Sequence, residues 1–353
     1  MKPVRVLILD DSAICRERLR DILTRDGAIT VVGEAANGDN VLDLVRRTDP
    51  TILLVDLQMP GTGGHETVER VMANLPLPIL VVTGQPSAVN QKAVFESIRR
   101  GALDLAEKPE HADAAAEGRL RSLVRELSQV PVVRHVRGSL GASRSGSRPG
   151  VPASFLPAAG QVPIVGIGAS AGGPLAVAAV LAGLPATLPA AVAIVQHLPK
   201  GFARAFAEFL RSRTALPVTV VSQRIPIGPG HVYIADDDRH LVVADARHFA
   251  PSDEPEIEGH RPAVDALLRS LAPLKRNACG VVMSGIGRDG TQGLLELKAR
   301  GGLTLAQNEA SSGVYGMPRA ALEAKAAERA LDPPGLAREL AAWAAEAARS
   351  LGR

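Results

Sequence analysis

Short runs of branched apolar residues alternate along the chain with longer amphipathic stretches. "VRVLILD", near the start, is continuous enough to predict a strand buried on both faces. "AICRERLRDILTRD" follows and sets Ile14, Leu19, Ile22 and Leu23 on one side of a predicted helix. "ITVVGEA" predicts a second strand and "NVLDLVRR" a second helix; "TILLVDL", "PILVVTG" and "LDLAEKP" predict strands three to five, with helical stretches between. Five such βα units over residues 1–127 predict a parallel, doubly wound sheet.

The pattern breaks over residues 128–160, where "VRGSLGASRSGSRPGVPASFLPAAG" is rich in Gly, Ser, Pro and Arg and has no period, as expected of a flexible linker. It resumes over residues 161–350. "VPIVGIG", "PAAVAIVQH", "PVTVV", "GHVYIA", "LVVADA", "CGVVMSGIG" and "LTLAQN" predict strands. "GPLAVAAVLAGL", "GFARAFAEFLRSRT", "PAVDALLRSLAPL" and "GTQGLLELKARG" predict helices, ahead of a helical tail, "GLARELAAWAAEAARS". The expectation is a second α/β domain, with no repeat of solenoid period.

Composition narrows the function. At 353 residues two domains are natural. Aromatics at 3% argue against a stacking platform for single-stranded nucleic acid. The net charge of +3 is local: Arg134, Arg137, Arg144 and Arg148 lie in the linker with no acid among them, leaving the remainder at about −1. No nucleic-acid partner is expected. Cys15 and Cys279 alone make neither a disulfide framework nor a zinc pattern. The first apolar run stops at Asp10-Asp11, too short for a signal peptide, and no stretch is long enough to span a bilayer. A cytoplasmic protein without membrane insertion is the expectation.

In open parallel sheets functional groups gather beyond the carboxyl ends of the strands. In the first domain those ends carry Asp10 and Asp11, then Asp56, Thr83 and Lys108. Packed carboxylates repel unless a cation binds, and hard oxygen ligands suit Mg²⁺. A threonine hydroxyl and a lysine would hold phosphoryl oxygens, and Asp56 would accept the group as nucleophile. "LDDS", "VDLQMP", Thr83-Gly84 and "EKP", in this order, resemble the receiver domain of two-component response regulators over essentially all of residues 1–127. The resemblance implies a flavodoxin-like fold, phosphorylation of Asp56, Mg²⁺ held with the help of Asp10 and Asp11, and phosphoryl contacts from Thr83 and Lys108. The chain departs from the usual pattern at "GTGG" after Met59-Pro60 and at Leu105, where an aromatic is common.

The second domain opens on "PIVGIGASAGG". Gly166, Gly168 and Ala171 fit a dinucleotide fingerprint, but the next strand ends in Gln196-His197 and supplies no ribose acid. The same residues fit G-x-S-x-G, with Ser170 between strand and helix and the helix N-terminus offering N–H groups to an oxyanion. His197 directly follows its strand, and Asp289 follows "VVMSGIG" and one arginine. Ser, His and Asp thus sit at three strand ends of one sheet, in an order unlike that of α/β-hydrolases; a triad is defined by roles rather than order. Ser170 and His197 would also serve as plain helix caps and Asp289 as a turn residue; their joint placement favours catalysis.

"IGASAGG", "QHLPKGF", "PGHVYIA", "HRPAVD", "GRDGTQG" and "AQNEASSGVYGMP" together resemble the catalytic domain of the chemotaxis protein-glutamate methylesterases, which also carry a receiver and a linker. The resemblance implies a Rossmann-like α/β catalytic domain without a cofactor, acting on methyl-accepting chemotaxis receptors and taking phosphate from the chemotaxis histidine kinase. It further implies glutamine deamidation, Ser170 as nucleophile, His197 as general base, Asp289 as its orienting partner, and the backbone N–H groups of Ala171 and Ile286 as the oxyanion hole. Ala171, Ile286 and Arg288 stand where the family commonly has Thr, Met and Asn, and Arg288 is placed to compete with His197 for Asp289 or to face an acidic receptor. The expected activity is ester hydrolysis gated by phosphorylation of Asp56, which would shift a domain contact that shields the site. The alternative is a catalytically weak, phospho-regulated protein that sequesters kinase or receptor. A DNA-binding output lacks a helix-turn-helix module, and a nicotinamide enzyme lacks its acid.

Overall fold

The structure is a computed structural model that describes residues 3–84, 88–109, 113–130, 132 and 161–351. The chain divides into two compact units, Met1–Leu156 and Pro157–Arg353. Apart from 128–130 and 132, the linker expected over 128–160 lies outside the described residues.

The first unit runs β1 (Val4–Leu9), α1 (Ala13–Thr24), β2 (Ile29–Ala35), α2 (Val41–Thr48), β3 (Ile52–Val55), α3 (Gly64–Asn74), β4 (Ile79–Thr83), α4 (Ala88–Arg99), β5 (Asp104–Glu107) and α5 (Ala114–Leu127). Its strands pair in parallel in the order β2-β1-β3-β4-β5, the doubly wound arrangement that the alternation predicts. Order reverses between β1 and β3, so a crevice opens at their carboxyl ends. Every residue of β3 and β4 is buried, which explains why these segments read as unbroken apolar runs rather than alternating ones. Ser12 caps α1 by accepting from the Cys15 amide at 3.3 Å. Leu19, Ile22 and Leu23 are buried as expected, but Ile14 is 79% exposed. At about 100° per residue it points roughly 140° away from Leu19, off the apolar face.

The second unit runs β6 (Ile164–Ala169), α6 (Gly173–Gly183), β7 (Ala191–Gln196), α7 (Ala203–Arg211), β8 (Val218–Val221), β9 (Ile225–Pro226), β10 (Val232–Ala235), β11 (His240–Asp245), β12 (His248–Ser252), α8 (Val264–Leu271), β13 (Ala278–Val282), α9 (Thr291–Ala299), β14 (Leu303–Gln307), α10 (Met317–Glu323), β15 (Arg329–Leu331) and α11 (Pro333–Leu351). Seven strands form a parallel sheet in the order β15-β14-β13-β6-β7-β10-β8. The chain leaves β6 toward β7 and later returns to β13 on its other side, so this sheet too reverses at its centre.

"LVVADA" does not join that sheet. As β11 it pairs antiparallel with β12, which pairs with β9. Pro251 in β12 weakens the strand signal, yet Pro251 lies beyond the two residues of β9 and is tolerated as on an edge. The C-terminal tail is docked: Leu336, Ala337, Leu340, Ala344 and Ala347 of α11 are buried, and Ala337 approaches Gly183 of α6 so closely that a Cβ there would sit 2.7 Å away.

At the start of β5, burial pushes the Asp104 carboxyl up to about 7. An acid whose folded pKa is raised binds its proton better folded than unfolded, so its contribution to stability falls as pH rises from about 4 to 7. Asp104→Asn is expected to raise the melting temperature of the full chain at pH 8, by the equivalent of a few kcal/mol, and to leave it little changed at pH 4. Melting curves of both proteins at the two pH values check this.

Candidate active site

Two strand glycines set the geometry of the second unit's site. A Cβ on Gly166 would lie 2.5 Å from Leu271 Cδ1, and one on Gly168 only 2.0 Å from Val264 Cγ1. Their role in "GIGAS" is therefore close packing: α8 lies directly on β6, and its first turn is carried to the carboxyl edge of the sheet. The first amides of a helix have no partner within it. Here Val264 N–H donates to Asp289 Oδ2 at 2.7 Å and Asp265 N–H to Asp289 Oδ1 at 2.8 Å. The helix dipole adds to the attraction.

Asp289 is buried, and His197 Nε2 lies 2.9 Å from its Oδ2. Burial alone would raise the Asp289 pKa; the His197 hydrogen bond and charge and the two α8 amides outweigh it, and the net shift is downward. An ionised Asp289 only accepts, so Nε2 carries the imidazole proton and Nδ1 carries the lone pair. Among the described residues Nδ1 is buried without a hydrogen-bond partner. This is the reverse of the usual Ser-His-Asp orientation, in which Nδ1 faces the aspartate.

Ser170 and His197 are brought side by side by the sheet. Ala169 pairs with Gln196 on adjacent parallel strands, and the next residue on each strand is Ser170 or His197. Gln196 Nε2 ties the two turns together, donating to Ser170 O at 2.7 Å and to His197 O at 3.1 Å. Gly172 takes φ +69°, a left-handed conformation natural to glycine, and turns the chain from Ser170 into α6. The Ser170 amide donates to Ser284 O at 2.9 Å. Buried Ser284 also donates from Oγ to Ala171 O at 2.7 Å and accepts from Val314 N–H at 2.9 Å, while its own amide donates to Gln307 Oε1 at 2.9 Å. Among the described residues neither the Ala171 nor the Ile286 amide donates a hydrogen bond. Ser170 Oγ likewise makes none there.

Arg288 is exposed and makes no ion pair among the described residues, so it does not compete for Asp289, whose oxygens are taken by His197 and two amides. Several contributors escaped the motif reading: Gln196, Ser284, Gln307, Asp265 and His260. Of these, Asp265 accepts from Gly293 N–H at 2.7 Å, and burial, with Asp289 nearby, raises its pKa against that hydrogen bond. Four of the five lie inside "QHLPKGF", "HRPAVD" and "AQNEASSGVYGMP", but nothing in spacing tells a clamp from a core residue.

In the first unit, Asp10, Asp11 and Asp56 converge, with one oxygen of each within 4.8 Å of the others. Lys108 Nζ lies 2.6 Å from Asp10 Oδ2 and 2.9 Å from Asp56 Oδ2, and buried Thr83 ends the neighbouring strand. Burial raises the Asp56 pKa; Lys108 opposes this and Asp10 adds to it. Three carboxylates at one crevice, only one lysine among them, fit a hard divalent cation with oxygen ligands.

Residues 165–340 match the family model for CheB methylesterase, and residues 6–117 match the response regulator receiver domain. The chain is 41% identical over 342 residues to protein-glutamate methylesterase/protein-glutamine glutaminase 2 of Anaeromyxobacter dehalogenans, covering 96% of each. It is 36% identical over 343 residues to protein 4 of that name from Myxococcus xanthus, again 96% of each. The CheB methylesterase catalytic domain of Thermotoga maritima superposes with TM-score 0.50 at 33% identity, covering 52% of this chain and 99% of that one.

Gly168→Ala is expected to push α8 outward and loosen both amides from Asp289. Modification of Ser170 by an alkyl fluorophosphonate should slow by about tenfold or more, with a melting temperature several degrees lower. Labelling at the wild-type rate would show that α8 need not lie so close.

Proposed function

The chain belongs to the CheB family of protein-glutamate methylesterase/protein-glutamine glutaminases, response regulators with a receiver domain, and on that footing we propose that Ser170, His197 and Asp289 hydrolyse glutamate methyl esters on methyl-accepting chemotaxis receptors. The observation that carries this reading is the His197–Asp289 pair, which leaves the basic nitrogen Nδ1 unpartnered on the strand next to Ser170.

Ser170 Oγ attacks the ester carbonyl while Nδ1 of His197 takes its proton. The new imidazolium is balanced by Asp289, held ionised by α8. The tetrahedral oxyanion faces the Ala171 and Ile286 amides, each worth roughly 3–4 kcal/mol on the scale of known oxyanion donors. His197 returns the proton to departing methanol, or to ammonia from a glutamine. A water then attacks the acyl-enzyme, giving its proton to Nδ1; the acyl–Oγ bond breaks, His197 passes that proton to Ser170 Oγ, and glutamate is released with Ser170 and His197 restored.

The receiver domain, residues 1–127, regulates this activity, and the catalytic domain spans 161–350. Asp56 accepts phosphate from the chemotaxis histidine kinase, with Thr83 and Lys108 contacting the phosphoryl oxygens. Asp10, Asp11 and Asp56 would hold Mg²⁺, which would neutralise charge at the phosphoryl group. Arg288 contacts carboxylates on the receptor surface. The sequestration alternative is not favoured, because the relatives are named as enzymes.

Methanol release from methylated chemoreceptor, with and without a small phosphodonor and Mg²⁺, tests the reading. Ser170→Ala should abolish release, and Asp289→Asn should cut kcat by about 10³–10⁴. Asp56→Asn should keep the basal rate and lose the stimulation; stimulation that survives it would rule out Asp56 as the phosphoacceptor. Arg288→Asn should weaken the salt dependence of receptor hydrolysis while leaving a small neutral ester unaffected.

A further inference from the structure

The segment that leads into α8 touches the base as well as the acid. His260 lies flat on His197, with ring centroids 4.0 Å apart and planes within 9°. The segment is built to hold it there. Ile257 and His260 exchange both backbone hydrogen bonds, at 3.1 and 3.0 Å, around a two-residue turn. Glu258 at φ 49° and Gly259 at φ 81° give that turn the left-handed pair a type I′ turn requires. Arg261 Nη2 pairs with Asp238 Oδ1 at 2.9 Å. Buried His240 accepts from Ala263 N–H at Nδ1, at 3.1 Å, and so donates from Nε2 to Pro255 O at 3.0 Å. The next two residues are Val264 and Asp265, whose amides grip Asp289.

We propose that His260 is a positioning residue for His197, the flat of its ring fixing the plane of the base so that Nδ1 stays aimed at Ser170. The bond from Cβ to Cγ and the hydrogen bond from Nε2 to Asp289 hold two ends of the His197 ring, and rotation about the line between them would swing Nδ1 away from the strand end that carries Ser170. A second ring parallel to the first blocks this rotation from one face. One short segment thereby orients both partners of the nucleophile: the acid through two amides, the base through a stacked ring. The inference rests on the serine-esterase reading of Ser170.

The test uses the full chain as wild type, Ser170→Ala, His260→Ala and His260→Phe. Two readouts are taken: the rate of Ser170 modification by an alkyl fluorophosphonate, and kcat and KM for methyl-ester hydrolysis. His260→Ala should lower the labelling rate and kcat together by about tenfold or more, with KM within about twofold. His260→Phe, which keeps a flat ring without nitrogen, should recover both to within about threefold of wild type. Wild-type rates for His260→Ala would overturn the proposal. So would His260→Phe as slow as His260→Ala with unchanged melting temperature, because the ring nitrogens rather than the stacked face would then matter. If wild type is not labelled at Ser170, the esterase reading fails and the proposal with it, an outcome distinct from the other two.

Discussion

The catalytic unit depends on one grip: the first two amides of α8 closing on the Asp289 carboxylate. A buried carboxylate is costly unless its lone pairs are satisfied. Two N–H groups at a helix start and one imidazole N–H meet that need and keep Asp289 ionised. With the acid ionised, the imidazole proton is held on Nε2 and the lone pair on Nδ1. The grip is possible only because Gly166 and Gly168 have no side chains to hold α8 away from β6. Small residues in a strand thus act on the chemistry of a histidine on the next strand through a helix, without touching it.

Both units place their reactive groups where the strand order reverses. Helices leave a reversal point in opposite directions and open a crevice beyond the strand ends. In the first unit β1 and β3 flank the reversal and carry Asp10 and Asp56. In the second, β6 lies between β7 and β13 and carries Ser170. The chemistry differs because the residues differ. Clustered carboxylates with a lysine suit a hard cation; a serine lies beside two amides that donate to nothing among the described residues and beside an imidazole held by Asp289.

Around Ser170 the support is polar rather than oily. Gln196, Ser284 and Gln307 are buried, and their hydrogen bonds run to backbone carbonyls and amides of the turns that carry Ser170, His197 and Val314. Such a network fixes direction as well as distance, which apolar packing does not. Gly285 completes it, since a Cβ there would meet Met317 Sδ at 2.2 Å and Ser170 Cβ at 2.8 Å.

Much of this was legible in the sequence. Apolar runs marked every strand of the first unit, and the residue after each run marked a strand end. That reasoning located Asp10, Asp56, Thr83 and Lys108 in one unit and Ser170 and His197 in the other, because in a parallel sheet strand ends share one edge. It erred where neighbourhood is three-dimensional. Ile14 counted as apolar but faces solvent, and "LVVADA", rightly a strand, carried no sign that it pairs in a small antiparallel sheet apart from the main one. Only the tertiary structure decided that the glycines of β6 admit α8, that Nε2 rather than Nδ1 meets Asp289, that Arg288 leaves Asp289 alone, and that His260 covers His197. The glycine, Asp289 and His260 contacts each join segments far apart in sequence, set by helix placement and ring orientation. A one-dimensional pattern carries residue type and period, and neither specifies those.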